Sequence, residues 1–201
     1  MTRLQQVTEF VFGKLEKELP RHLTYHNVYH TKDVMQAAEF LADTENIEIR
    51  EKELLLTAAA LHDCGFVVRR DEHEAESCNI AINCLPLFGY DVAEAVIVCD
   101  LIKATRVPQA PASKLAEILC DADLDYLGRD DFFTLSDRLF VELRSERLVN
   151  DLDEWNREQA DFMGSHSYFT QTAVNLRQPK KEQHTELIRS KISTQIFNEN
   201  R

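Results

Sequence analysis

Residues 25–31 read Tyr-His-Asn-Val-Tyr-His-Thr, and the interpretation of the whole chain starts from this stretch. Its two histidines stand four residues apart, just before a run of apolar residues at helical spacing. Two later stretches also contain side chains that can bind a metal. They are the doublet His62-Asp63 and the segment Asp-Ala-Asp-Leu, which contains Asp123. A divalent metal takes several nitrogen or oxygen ligands from separate elements of a fold. Together with His30, these residues supply two imidazoles and two carboxylates, which predicts a metal site.

The same side chains have a simpler interpretation, a buried His–Asp network held by hydrogen bonds. The segment 51–63 favours the metal, because its helix is apolar on nearly all sides and belongs in the core. A charged Asp63 at the end of a buried helix is costly unless a cation compensates it. Asp121 stands two residues before Asp123 and could instead orient a histidine ligand.

The order His … His-Asp … Asp on a helical chain resembles the HD superfamily of metal-dependent phosphohydrolases, over roughly residues 25–128. The string Tyr-His-Asn-x-x-His is similar to the opening motif of cyclic nucleotide phosphodiesterases in that superfamily. The resemblance implies that the metal is bound by His30, His62, Asp63 and Asp123. It also implies that His26 is the general acid that protonates the leaving oxygen. Imidazole titrates near neutral pH, which suits that role. The alternative is a loop histidine that packs on Tyr25 or Tyr29.

Four further side chains are weaker candidates for the site. His73 and Glu76 lie one helical turn apart, and they would bind a second metal, position the attacking water or form a solvated helix face. Lys103 and Arg106 follow an apolar helix and would receive phosphate oxygens. Basic residues that complement the C-terminal end of a helix explain the same pattern equally well.

The chain is predicted to be all-α. It has only 5 Gly and 5 Pro in 201 residues, and its apolar residues recur close to every 3.6 positions almost throughout. The length suits one domain with a full hydrophobic core. We therefore expect a single HD-type helical bundle over residues 1–201, with a metal-site core at about 25–128 and C-terminal helices at 130–198 that pack on it.

Several local boundaries follow from capping and breaking residues. Thr31 is expected to cap the second helix, so that His30 stands at its mouth. Gly65 is well suited to stop the helix that carries the doublet. Residues 151–177 are expected to form one long helix, and a last polar helix is expected after Pro179.

Charge and composition exclude some classes of partner. The net charge of −12, from 23 basic and 35 acidic residues, disfavours nonspecific binding to nucleic acid or anionic membranes, since both are polyanions. Five scattered cysteines predict buried reduced thiols rather than a disulfide framework. No apolar stretch is long enough to span a bilayer, and no signal-peptide core is visible, so a cytoplasmic protein is the expectation.

The leading hypothesis is hydrolysis of a small phosphorylated substrate, a nucleotide in the first instance, by a metal-activated water. Mixed nitrogen and oxygen ligands suit Mn, Fe, Co, Ni, Zn or Mg. The Glu-Asp pair of alarmone hydrolases is missing after the doublet, where residues 64–68 read Cys-Gly-Phe-Val-Val. The chain is also far shorter than the animal-type phosphodiesterase domains. The alternatives are an HD-type di-iron oxygenase, which needs more histidine ligands than can be assigned here, and a non-catalytic HD signalling module.

Overall fold

The computed structural model describes residues 1–199, with side chains up to residue 192. The all-α prediction is confirmed, because the described residues form α-helices and short 3-10 turns without a strand. The helices are α1 (Arg3–Glu18), α2 (Val28–Thr44), α3 (Ile49–Leu61), α4 (His73–Cys84), α5 (Val92–Ala104), α6 (Lys114–Asp123), α7 (Phe132–Ser145), α8 (Leu152–Ser165) and α9 (Gln171–Glu199). Among these described helices, none is long and apolar enough to cross a membrane.

The chain divides into two compact units, Met1–Asp123 and Leu124–Arg201. The first contains α1 to α6 and the second α7 to α9. The centre of the first unit is α3, in which every residue from 54 to 61 is buried. It packs against α1, α2, α4, α5 and α6. The one-domain description of residues 1–201 stays a prediction.

Helix α2 begins earlier than predicted. Its cap is Asn27, whose Oδ1 accepts a hydrogen bond from the Tyr29 N–H at 2.9 Å. The prediction that Thr31 caps the helix is wrong, since its hydroxyl lies inside the first turns and donates to the Asn27 carbonyl at 3.4 Å. Asparagine is among the strongest N-cap residues. As a result, His30 lies within the first turn of α2 rather than at its mouth.

The predicted single helix over residues 151–177 is also wrong. Helix α8 ends at Ser165, and α9 starts after Thr170, whose Oγ1 accepts a hydrogen bond from the Ala173 N–H at 3.1 Å. This hydroxyl satisfies one of the free N–H groups that open a helix. Pro179 then lies inside α9 instead of preceding the last helix. Packing of α9 along α8 supports a helix that continues past the missing proline N–H.

All five cysteines are buried and free, as expected for reduced thiols. Their positions are Cys64, Cys78, Cys84, Cys99 and Cys120.

A single guanidinium joins three helices of the first unit. Arg3 Nε donates to Glu53 on α3 at 2.9 Å, and Arg3 Nη2 donates to Glu94 on α5 at 2.8 Å. The same guanidinium lies 4.2 Å from the centroid of the Tyr90 ring. Glu94 is only 5% exposed, and its hydrogen bonds with Arg3 lower its pKa to about 2. A buried carboxylate is therefore compensated mainly by one residue near the start of the chain, with the more exposed Arg50 at 3.4 Å.

We predict that Arg3→Met lowers the free energy of unfolding by about 2–3 kcal/mol at neutral pH, because it leaves the buried Glu94 with only the exposed Arg50 as a cation. The pKa of Glu94 is lower in the folded chain than its usual 4.5. The stabilisation is therefore present above that value and is lost as the pH falls towards the folded pKa. Urea unfolding at neutral pH and near pH 3 should show that the free energies of unfolding of the wild type and Arg3→Met become more similar in acid. Lys14→Met, which breaks an exposed pair with Glu18, is the control and should cost about 0.5 kcal/mol or less; equal losses in the two variants would contradict the prediction.

Candidate metal centre

Three helix ends meet at the predicted ligands. The first turn of α2 contributes His30, the C-terminal end of α3 contributes His62 and Asp63, and the last residue of α6 is Asp123. Helix α2 packs against both α3 and α6. The C-terminal end of a helix carries a partial negative charge, whereas an N-terminal end carries a positive one. Two C-terminal ends and one N-terminal end leave a backbone field that favours a cation.

The four side chains approach one another through one atom each. His30 Nε2 lies 3.3 Å from His62 Nε2 and 3.2 Å from Asp123 Oδ1. Asp63 Oδ2 lies 3.3 Å from both of these imidazole nitrogens. Ligand atoms at about 2.0–2.2 Å from one cation lie about 3–3.6 Å from each other. The spacing and the mixed nitrogen and oxygen donors therefore fit a divalent metal.

The orientation of His62 is fixed by the backbone of its own helix. The residue is fully buried, and its Nδ1 lies 2.8 Å from the Ala59 carbonyl oxygen. Nδ1–H donates to that carbonyl, so Nε2 presents its lone pair to the cluster in the neutral ring. Metal-binding histidines commonly donate their second ring N–H in this way. The ring is thus held in a tautomer that can bind a metal.

The charges in the cluster shift one another's pKa values strongly. Burial alone would lower the pKa of His30, but hydrogen bonds and charge from Asp123 and Asp63 outweigh it and raise that pKa to about 9. The pKa of His62 is likewise raised against the effect of burial. Burial alone would raise the pKa of both carboxyls, but the imidazoles lower them. Protons thus compensate the carboxylates in the metal-free protein, and a divalent cation would displace them.

His73 adjoins this cluster through Asp63. Its Nε2 lies 3.4 Å from Asp63 Oδ1, and its Nδ1–H donates to the Arg70 carbonyl at 2.9 Å. Burial would lower the pKa of His73, but Asp63 raises it, so the ring is suited to donate from both nitrogens. Glu74 Oε1 lies 3.6 Å from the same Nε2, and this residue is 9% exposed. Sequence reasoning missed Glu74, although an acid directly after His73 at a helix start was a visible signal.

The structure does not bring Glu76 to the cluster. Its Oε1 accepts from Arg69 Nη2 at 2.5 Å, and its Oε2 accepts from Asn79 Nδ2 at 3.1 Å. Asp121 is fully buried on α6. Residues two positions apart on a helix do not face the same side. Helix geometry therefore places Asp121 on a different side of α6 from Asp123.

Lys103 and Arg106 also lie away from the cluster. Lys103 Nζ lies 3.3 Å from Asp100 Oδ1 in the last turn of α5. It lines a cavity of about 600 Å³ together with Leu54 and the first turn of α6. Leu54 precedes His62 by eight residues, or about 12 Å along a helix. Arg106 is exposed just beyond the end of α5. These positions agree with the alternative, basic residues that complement a helix C-terminus.

His26 borders the cluster without joining the ligands. The centroid of its ring lies 5.8 Å from that of His30. It packs edge-on against Tyr25 at 4.8 Å, as the alternative interpretation expected, and it stacks on Phe66 at 4.4 Å. Aromatic contacts hold this histidine beside the predicted ligands.

Gly65 is needed for a close approach rather than as a helix stop. Its φ is not positive, and α3 already ends at Leu61. A Cβ at this position would lie 1.9 Å from the His73 carbonyl oxygen. The Gly65 N–H donates to Ser77 Oγ at 2.8 Å, and that hydroxyl donates to the His62 carbonyl at 2.6 Å. Glycine thus lets the start of α4 pack directly on the doublet.

Comparison with known proteins agrees with this geometry. The family model of the HD domain matches residues 27–125. A structure described as a predicted HD superfamily hydrolase from an uncultured Thermotogales bacterium is 19% identical, with a TM-score of 0.65, over 96% of this chain and 93% of that chain. Bacillus subtilis YpgQ in complex with ADP is 21% identical, with a TM-score of 0.66, over 94% of this chain and 92% of that chain. No curated protein matches. Residues 27–125 therefore form an HD domain, which confirms the resemblance to the HD-domain superfamily.

Proposed function

We propose that this protein is a metal-dependent phosphohydrolase that cleaves a small phosphoester, with a nucleotide as the substrate class. One observation carries the proposal: two imidazole nitrogens lie 3.3 Å apart, each lies 3.2–3.4 Å from one oxygen of Asp63 and one of Asp123, and a further imidazole lies beside them. The structure of YpgQ, which shares the fold, contains ADP. That ligand supports a nucleotide for this chain.

In this proposal a divalent cation is held by His30, His62, Asp63 and Asp123. When bound, such a cation supplies an acidified water and polarises the phosphoryl group. His62 keeps its ring in place through the Ala59 carbonyl. Asp63 turns Oδ2 to the two ligand histidines and Oδ1 to His73, so His73 orients this carboxylate. We assign no role to Glu76, Lys103 or Arg106.

His26 provides the proton for the leaving group. Hydrolysis breaks the bond between phosphorus and the leaving oxygen while a water oxygen bonds to phosphorus. An alkoxide leaving group needs a proton as that bond breaks, and an imidazole near neutral pH can donate one. The half-buried ring of His26 lies close enough to the ligands to reach a phosphoester bound there, and it is not needed to hold the metal.

We predict that Asp123→Asn weakens Mn²⁺ binding by about 100-fold or more, because it removes a charged ligand, whereas Asp121→Asn weakens it by about 10-fold or less. Isothermal titration calorimetry of metal-free protein measures both affinities. The substitutions are chemically identical and two residues apart on one helix, so each is the control for the other. The opposite ranking would show that the ligand has been assigned to the wrong acid.

We also predict that the metal-free protein loses stability as the pH rises. The pKa of His30 is raised from 6.5 to about 9 in the folded chain. Its contribution is therefore complete below pH 6.5 and is lost as the pH rises through about 9. Over the same window a divalent cation should stabilise the protein increasingly, because fewer protons compete for the ligands. Thermal unfolding with a chelator and with excess Mg²⁺ tests both trends. His30→Gln should flatten the chelator curve, and an unchanged curve in this variant would refute the assignment.

The role of His26 is tested by two substrates. A screen of cyclic and linear nucleotides, dinucleotides and sugar phosphates with several metals comes first. We predict that His26→Ala leaves metal affinity unchanged and lowers kcat on a nucleotide ester by about 10²–10⁴-fold. On a p-nitrophenyl phosphate ester the loss should be much smaller, because that leaving group needs little protonation. His22→Ala, in the same loop, is the control. Equal losses on both substrates would mean that His26 positions substrate rather than donating a proton.

A further inference from the structure

We propose that Phe66 is a positioning residue for catalysis, which holds His26 at the angle from which it protonates the leaving group. This inference rests on the proposed function for the role of His26. Neither the metal-binding pattern nor the motif around residues 25–31 involves Phe66. Its assignment comes from the packing of the aromatic rings.

Phe66 lies between the rings of two histidines. The ring of His26 covers one side at a centroid distance of 4.4 Å with an interplanar angle of 20°. The ring of His73 stacks on it at 4.1 Å and 28°. Phe66 is 3% exposed, so water does not compete for these contacts. Aromatic stacking stabilises a pair of rings beyond the burial of area and restricts ring orientation.

The phenyl ring is itself held in place by its neighbours in sequence. The Arg70 guanidinium lies 5.1 Å from its centroid, at a distance suited to a cation–π contact. The carbonyl of the same Arg70 accepts the Nδ1–H of His73. Gly65, directly before Phe66, has no Cβ and allows the His73 backbone to approach. One short segment therefore fixes the phenyl ring and one of the two histidines stacked on it.

This arrangement differs from ordinary filling of a core. A leucine or methionine would also exclude water from the space of Phe66, but neither offers two flat faces to imidazole rings. Without the ring, His26 loses the flat contact at 4.4 Å that sets its ring plane, while its edge-on contact with Tyr25 remains. A proton donor that is misplaced by about 1 Å can lose about 100-fold in rate. His30 and His62 contact Asp63 and Asp123 directly, and these contacts do not involve Phe66.

The test compares Phe66→Leu with the ring-retaining Phe66→Tyr. Phe66→Leu should lower kcat on a nucleotide ester by about 10–100-fold, with KM and metal affinity changed by about threefold or less. The loss on a p-nitrophenyl phosphate ester should be small, and Phe66→Tyr should restore most of the activity. If Phe66→Leu does not fold, Phe66→Met serves as the variant without a ring. Equal losses on both substrates, or no loss on either, would overturn the proposal.

A double variant shows whether Phe66 acts through His26. In a His26→Ala background, Phe66→Leu should lower kcat on the nucleotide ester no further, because the residue that it positions is gone. If the two substitutions lower kcat independently, so that their separate losses multiply in the double variant, the proposal is overturned. The matched control is Phe132→Leu, which removes another buried phenylalanine stacked on a histidine, His184 at 4.5 Å. It should not change the ratio of activities on the two substrates.

Nuclear magnetic resonance separates this inference from the proposed function. In the metal-loaded wild-type protein, the ring current of Phe66 should move the carbon-bound ring protons of His26 and His73 upfield. Phe66→Leu should return both sets of resonances downfield, whereas Phe132→Leu should leave them in place. If no phosphoester is hydrolysed, the proposed function fails while this measurement still tests the stack. Unmoved resonances in Phe66→Leu would overturn the role of Phe66 even in an active enzyme.

Discussion

Two carboxylates and two imidazoles share a space from which water is largely excluded, and the first unit is arranged around that electrostatic constraint. Asp63 is 8% exposed and His62 is fully buried. Such groups are tolerated only when opposite charges or hydrogen bonds compensate them. In the metal-free protein protons do this, and in the proposed enzyme a divalent cation does. The apolar helix α3 delivers the doublet into the core, which is why the core and the site cannot be separated.

Much of this was readable from the sequence because the relevant signals are local or ordered along the chain. The helical spacing of the apolar residues predicted an all-α chain. The lack of a polar face predicted that α3 is buried. The order of His30, His62-Asp63 and Asp123 was enough to predict that these residues meet, and the structure brings them together. Their function as ligands remains for the metal titrations to establish.

The wrong predictions concern positions where two residues compete to cap one helix, or where backbone segments far apart in the sequence approach each other. Asn27 and Thr31 are both good caps, and only the folded chain shows which one is used. Thr170 divides α8 from α9 although the helical pattern continues through it. The role of Gly65 depends on the His73 carbonyl, which no local pattern reveals. Phe66 was passed over for the same reason, since its neighbours in space come from a loop and another helix.

The position of His30 in the first turn of α2 has a kinetic consequence. The ends of helices open far more often than their interiors, whereas His62 and Asp63 sit at the end of a helix that is packed on every side. The Asn27 side chain caps the turn that carries His30. Fraying of this one turn would move His30 away from the other three side chains. In the proposed enzyme the strength of the Asn27 cap would therefore influence how long a bound metal ion keeps this ligand.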